Sequence, residues 1–355
     1  MHKKLFIPGP VEVAPDTLQA CAIPMMGHRM PEFSDLYNSA ISKLRKILYT
    51  EQNVFISTSS GTGVMEAGIR NLVGKRALVS CNGAFSDRWF EMMGENGKEA
   101  DPIKIEWGKA IKPEMIDEAL ATGKYDAFTF THNETSTGVM SPLKEIAEVL
   151  KKYPDITFMI DAVSSMTAVK IDTDALGIDL LLAGVQKAWA MPPGLAVFAV
   201  SDKAMEKSKT IPNRGTYFDF QLFAKYAAKG QTPNTPNISF INALDHQCSK
   251  MLKEGLENRF ARHKEMSDHC RAWAKDRGFN FFFEDGYGSV TLTCMENTRG
   301  ISIADLNKFL ATKNMVISNG YGKLKEKAFR IAHMGDCTLP ELKEVLALID
   351  EYLNK

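Results

Sequence analysis

A lysine, an aspartate, a turn of small residues and an arginine each sit at or just after a short apolar run of this chain, where a buried strand would present them to a ligand. Lys187 stands in Leu180-Leu181-Leu182-Ala183-Gly184-Val185-Gln186-Lys187-Ala188-Trp189. An ammonium with such neighbours loses hydration, so its pKa falls and it becomes a nucleophilic amine suited to a Schiff base. Asp161 closes Phe158-Met159-Ile160, and a carboxylate at the end of a buried strand is costly unless a cation or strong donor meets it. A protonated ring nitrogen is one such partner, and holding it charged makes the ring an electron sink. Ser57-Thr58-Ser59-Ser60-Gly61-Thr62-Gly63 leaves a strand and opens a helix, so its backbone N–H groups and the helix dipole suit a phosphate. It lacks the Gly-Lys-Ser/Thr ending of a nucleotide P-loop. Arg330, in Phe329-Arg330-Ile331-Ala332-His333, offers a planar fork to a carboxylate. Each has a plainer use when taken singly: a turn without a ligand, a helix N-cap, a solvated lysine, an arginine on an edge strand.

The elements that must position these residues follow from periodicity. Between about residues 50 and 200, short apolar runs alternate with helical spacing, as in βα units of a largely parallel sheet. Strands are predicted at Val54–Ser57, Arg76–Cys81, Ile103–Glu106, Ala127–Thr131, Ile156–Ile160, Ile178–Ala183 and Leu195–Val200. Several are continuous apolar runs, as expected for strands buried on both faces. Gly63–Leu72 and Leu143–Lys152 carry helical spacing. Beyond residue 200, a polar stretch containing Gln231-Thr232-Pro233-Asn234-Thr235-Pro236 leads into a long helical pattern over Asn237–Asp276, broken near Gly255. Strands are then predicted around Phe281–Phe283, Ser289–Cys294, Val316–Ser318 and Phe329–Ala332, with helices starting near Ser302 and Thr338. Thr338 and Glu341 have capping-box spacing. The expected architecture is α/β, with a large domain built on a mainly parallel sheet over residues 1–250 and a small C-terminal α/β domain over 251–355.

Lys+Arg and Asp+Glu number 43 each, and no basic block exists to track a phosphate backbone, so nucleic acid is not an expected partner. The start, Met1-His2-Lys3-Lys4-Leu5, lacks the apolar run of a signal peptide, and no later stretch would span a bilayer. The six cysteines, at 21, 81, 248, 270, 294 and 337, form neither CxxC nor a Cys/His cluster, so neither a metal nor disulfides are expected. A cytoplasmic protein without membrane contact is the expectation.

Ser60-Gly61-Thr62, Asp161 and Gln186-Lys187, in that order and each after a strand, resemble the class V aminotransferases of the fold type I pyridoxal-phosphate enzymes. The likeness is most specific at Thr131-His132-Asn133-Glu134-Thr135-Ser136-Thr137-Gly138, at Ile160-Asp161-Ala162-Val163-Ser164-Ser165, and at Gly184-Val185-Gln186-Lys187 with Pro192-Pro193-Gly194. Pro8-Gly9-Pro10 and Arg330-Ile331 extend it over nearly the whole chain. The resemblance implies a fold type I architecture with pyridoxal 5'-phosphate held on Lys187. Ser60, Gly61 and Thr62 would hold its phosphate, with Gln186 in support. Phe85 would stack on the ring where relatives often carry tryptophan, Thr135 would bond the phenolic oxygen, and Asp161 would pair with the ring nitrogen. Arg330, with Gly9 nearby, would clamp the substrate carboxylate. Thr232 and Thr235 would reach the phosphate of the neighbouring subunit's cofactor, which implies a homodimer with shared active sites. Lys187, freed by the incoming amino acid, would move the α-proton, giving amino-group transfer.

Within that family, the chain resembles the serine-pyruvate and alanine-glyoxylate type best, implying serine or alanine as donor and pyruvate or glyoxylate as acceptor. One segment points elsewhere. Gly27-His28-Arg29 followed by Glu32-Phe33 resembles the stretch with which phosphoserine aminotransferases bind substrate phosphate, and Lys323 and Lys325 lie shortly before Arg330. These cations would suit phosphoserine or 2-oxoglutarate; alternatively, His28 and Arg29 serve a dimer interface and the lysines are solvated. Lyase or desulfurase chemistry, also hosted by related folds, needs a mobile nucleophilic cysteine, and Cys337 sits at a predicted helix start where a capping turn is the plainer role.

Overall fold

The computed structural model describes residues 2–354, so Met1 and Lys355, the outer ends of the two expected domains, lie outside the described residues. Seven strands form one sheet in the order Asn53–Ser57, Ala196–Val200, Leu180–Gly184, Thr157–Asp161, Ala127–Thr131, Arg76–Cys81, Glu99–Lys104. Only Ala196–Val200 runs antiparallel to its neighbours. Side chains alternate between two cores: Phe128, Phe130, Phe158, Ile160 and Leu181 enter one, Ala127, Met159, Leu180 and Leu182 the other. Helices cover both faces, which is why these strands read as unbroken apolar runs. Gly68 of the helix Gly61–Leu72 lets that helix approach the sheet closely, since a Cβ there would stand 2.6 Å from Leu180 Cδ2.

The strand expected at Ile103–Glu106 lies instead at Glu99–Lys104. It is the outermost strand, paired only with Arg76–Cys81, so the missing N–H of Pro102 breaks no central ladder.

A second sheet has the order Lys4–Phe6, Met315–Asn319, Ala328–Ala332, Leu292–Glu296. Phe6 packs there with Met266, Ile317, Phe329 and Leu342, so the first strand of the chain belongs with the C-terminal elements. The division drawn at residues 250 and 251 falls inside the helix Ile238–Glu254. That helix closes at Gly255, whose φ of 85° suits glycine, and the helix Leu256–Asp276 follows. Phe281–Phe283 forms a single bridge, Phe281 to Met295, with the rings of Phe281 and Phe283 stacked at 4.8 Å. The strand expected at Ser289–Cys294 starts only at Leu292, because the preceding residues bond across to the large domain: Ser289 N donates to Gly138 O (2.8 Å) and Thr291 Oγ1 to Ser164 O (2.8 Å). Thr338 N and Oγ1 both donate to Glu341 Oε2 at 2.8 Å, opening the helix Leu339–Leu353.

Candidate active site

Because the strands are parallel, Asn53–Ser57, Arg76–Cys81, Ala127–Thr131, Thr157–Asp161 and Leu180–Gly184 all end at one edge of the large sheet. A cavity of about 290 Å³ at that edge is lined by Gly9, Ser60, Gly61, Thr62, Phe85, Thr135, Asp161, Gln186 and Lys187, and by Arg88, Asn133 and Ser164.

Asp161 ends its strand in register with Thr131 on one side and Leu182 on the other. It accepts one hydrogen bond, from Val163 N at 2.8 Å. Burial pushes its pKa from 3.8 up to about 6 against that bond, with Glu134 adding to the rise and Lys187 and Arg88 opposing it. Lys187 leaves the next strand three residues after Gly184 and donates from Nζ to Pro8 O. Burial, and then the charge of Arg330, draw its pKa from 10.5 down to about 8, while Asp161 and Glu134 oppose the fall. Gly9 has φ +102°, and a Cβ there would stand 2.5 Å from Lys187 Cδ, which is why a glycine separates Pro8 from Pro10.

Gly61 opens its helix pressed against the turn after Asp161, where a Cβ would lie 2.7 Å from Val163 Cγ2. The N–H groups of Gly61 and Thr62 have no intrahelical acceptor, as at any helix start, and both residues line the cavity. Phe85 is set by Glu134, a fully buried carboxylate. Glu134 Oε2 accepts from Phe85 N (3.1 Å), Ser86 N (3.0 Å) and Ser86 Oγ (3.1 Å), and Oε1 from Ser136 N (3.1 Å) and Ser136 Oγ (2.6 Å). Thr135 Oγ1 shares a 2.5 Å hydrogen bond with Ser164 Oγ. Arg330, on the second sheet, does not line the cavity but meets its wall, with Nη1 donating to Thr135 O (3.1 Å) and Nε and Nη2 to Asn319 O (3.2 and 3.1 Å).

Other expected residues lie apart from this cavity. Arg29 Nη1 donates to Gln231 Oε1 (3.0 Å) and Thr232 O (2.9 Å), with its guanidinium 4.8 Å over Tyr226. His28 lies on the same partly exposed segment. Thr232 Oγ1 donates to Asn234 O (2.8 Å), and Thr235 is exposed. Lys323 stands 4.0 Å over Trp107, and Lys325 is exposed. Cys337 borders a different cleft, with Leu5, Phe6 and Met315, and burial pushes its thiol up to about 12, so it stays protonated.

Arg88, Glu134, Ser164 and Tyr321 have no role that the sequence assigns. Arg88 had a usable signal, since it follows Phe85 by three residues and a helix places both on one face. Glu134 stands within a specific motif, but its bonds to Phe85 and Ser86 join residues 49 and 48 apart in the chain, and Tyr321 meets Arg88 across 233 residues.

The donor set fits pyridoxal phosphate. A buried carboxylate without a paired cation matches a protonated ring nitrogen, a lysine drawn to about 8 matches a carbonyl carbon, and helix-start N–H groups match a phosphate. Fold and site together define an α/β enzyme of fold type I architecture. Residues 17–324 match the family described as Aminotransferase class-V, and the chain belongs to that family. It is 38% identical to an uncharacterised aminotransferase of Methanocaldococcus jannaschii, over 100% of this chain and 94% of that one. It is 32% identical to the L-aspartate–glyoxylate aminotransferase of Paracoccus denitrificans, over 94% and 87%. The solved alanine–glyoxylate aminotransferase of Nostoc sp. matches with a TM-score of 0.93 at 28% identity, over 99% of this chain and 96% of that one. The chain is thus a transaminase, exchanging an amino group between an amino acid and a 2-oxo acid, and pyridoxal phosphate is the cofactor its family implies.

Proposed function

We propose that this aminotransferase moves an amino group from serine or alanine to pyruvate or glyoxylate, using pyridoxal phosphate carried on Lys187. The observation that carries the reading is the convergence in one cavity of Lys187, drawn to about 8, and Asp161, raised to about 6. Bound there, the cofactor supplies an electron sink for the carbanion at the substrate's Cα. Asp161 holds a proton on the ring nitrogen. Ser60, Gly61, Thr62 and Gln186 bind the phosphate, Phe85 covers the ring, and Thr135, steadied by Ser164, bonds the phenolic oxygen. Arg330 has five N–H donors, of which three are engaged on backbone carbonyls, leaving two for the substrate's α-carboxylate. That clamp orients the Cα–H bond toward Lys187 Nζ, which takes the proton and returns it.

A homodimer is part of the reading. Thr235 is exposed as a residue reaching a neighbouring pocket must be, and Leu18, Ile23, Met25 and Met30 expose apolar surface near Arg29 in the chain. All six cysteines are free, in keeping with a reducing cytoplasm, and no helix among the described residues is long and apolar enough to cross a membrane. The phosphoserine alternative is not favoured, since Arg29 spends its guanidinium on Gln231 and Thr232.

The test is to mix cofactor-loaded protein with alanine, serine, phosphoserine or cysteine and measure oxo acid and the change in the cofactor's visible absorption. Alanine and serine should yield pyruvate or hydroxypyruvate, and Lys187→Ala should yield neither. Preference for phosphoserine, or sulfide release from cysteine exceeding oxo-acid formation, would overturn the proposal.

A further inference from the structure

We infer that Arg259 is a positioning residue for Lys187: its guanidinium holds the backbone of the lysine loop against the turn that follows the strand of Arg330, and so fixes where the amine stands. For its kinetic part this rests on the transaminase reading above.

Arg259 lies in the first turn of the helix Leu256–Asp276, is 1% exposed and does not line the cavity. Its Nη2 donates to Ala188 O at 2.7 Å, one residue past Lys187. Its Nη1 donates to Glu254 Oε2 at 2.8 Å and to Asp336 Oδ1 at 3.2 Å. Burying a guanidinium carries a desolvation cost that an apolar side chain of similar volume would not. Two carboxylates and a carbonyl gathered around one buried fork therefore mark a place where geometry is held.

The loop in question needs holding. Lys187 opens a turn closed by Ala190 N, which donates to Lys187 O at 2.9 Å, and Ala190 stands at φ +54°, a left-handed conformation that alanine seldom adopts. Such backbone persists only when contacts from outside the turn over-determine it. Arg259 supplies one of these at Ala188 O. Gly335 presses on the same turn, since a Cβ there would stand 3.0 Å from Ala190 Cβ and 3.5 Å from Lys187 O. The residue before the lysine is held separately, by Val11 N donating to Gln186 O at 3.1 Å, so Arg259 governs the side of the loop after it.

The two contacts belong to one assembly. Arg262 donates from Nη2 to Gly335 O (3.1 Å) and from Nε to Glu254 Oε1 (2.8 Å), and His263 Nε2 accepts from Gly335 N (3.1 Å). Gln247 Nε2 donates to both oxygens of Asp336 (3.1 and 3.0 Å), which sets that carboxylate toward Arg259. Gly335 and Asp336 follow Ala328–Ala332, the strand of Arg330. One guanidinium thus joins the loop of the proton-moving amine to the segment that carries the carboxylate clamp.

The experiment compares wild type with Arg259→Lys, which keeps the charge but lacks the fork that spans Ala188 O and Asp336. Trp273→Phe, a control on the same helix, loses a 3.0 Å bond to Asp350. Urea unfolding places the proteins on one stability scale. Covalent capture of pyridoxal phosphate by cofactor-free protein is followed against pH in the visible spectrum, and kcat and KM are measured with alanine and glyoxylate. In Arg259→Lys the pH at which capture levels off should rise by about one pH unit, because a loosened Nζ regains hydration. Its kcat should fall about ten- to a hundredfold, with KM changed by less than about threefold. Trp273→Phe, though destabilised, should match wild type in both. Where Arg259→Lys does not fold, Asp336→Asn, which loosens the same guanidinium, should show both changes at smaller size. Unchanged capture and kcat in the folded variant, or equal changes in Trp273→Phe, would overturn the inference. Oxo acid from no donor in wild type would instead remove the transaminase reading, and the capture profile alone would then uphold or overturn this one.

Discussion

Replacing Asp161 by asparagine should stabilise the cofactor-free protein at neutral pH while slowing the loaded enzyme. The residue is 5% exposed, and its carboxylate accepts a hydrogen bond from Val163 N. Its pKa rises from 3.8 to about 6 because burial penalises the charge. At about 1.4 kcal/mol per pKa unit, ionisation inside the fold costs about 3 kcal/mol once the pH exceeds both values. The sign follows from proton binding. Between about pH 4 and 6 the native state holds this proton and the unfolded chain does not, so the contribution is fully present below about 4 and lost as pH rises through 6. Asparagine does not titrate. It keeps the acceptor for Val163 N but adds an amide donor that lacks a partner, which offsets about 1 to 2 kcal/mol. The net gain for the variant should therefore be about 1 to 2 kcal/mol at pH 7.5, shrinking and reversing toward pH 4. Urea unfolding of cofactor-free wild type and variant at a series of pH values from 4 to 7.5 reads this directly. With cofactor bound, the variant should lose activity on the order of a hundredfold, the scale of one well-placed electrostatic partner. An asparagine variant no more stable than wild type at pH 7.5, or a stability gap that does not change with pH, would refute the reasoning.

Lys187 attacks as the neutral amine, so the rate of covalent capture of pyridoxal phosphate by cofactor-free protein should rise with pH and level off above about 8, as followed in the visible spectrum; Lys187→Ala should show no such phase. Gly61→Val should weaken cofactor binding by at least about tenfold in a fluorescence titration, because its Cβ must displace Val163 and the helix start from the phosphate. Glu134→Ala strips the acceptor from the donors of Phe85, Ser86 and Ser136 and should cost at least about 3 kcal/mol in urea unfolding. Glu134→Gln retains one carbonyl oxygen and should lose less.

What was legible in the sequence was what neighbours in the chain decide. Six of the seven large-sheet strands are legible because they are buried apolar runs, and Asp161, Lys187 and the Ser60–Thr62 turn stand out through their combination at the ends of such runs, each having a plainer use when taken singly. The long helical pattern, its break at Gly255 and the cap at Thr338 are likewise local, set by backbone freedom and a side chain three residues away. The edge strand was displaced in the reading because Pro102 argues against any strand unless one knows that it lies outermost.

The sequence by itself marked the candidate groups: a desolvated amine, a buried carboxylate, a helix-opening turn of small residues and an arginine, each set by the few residues around it. Only the tertiary structure decided how they meet. That Lys4–Phe6 pairs with Met315–Asn319, that Glu134 fixes Phe85, that Arg29 turns to Gln231, and that Arg88 and Arg330 share Tyr321 are outcomes of contacts between residues far apart in the chain. Their energies come from burial and hydrogen-bond satisfaction after the whole chain has packed, so no local run of residues encodes them.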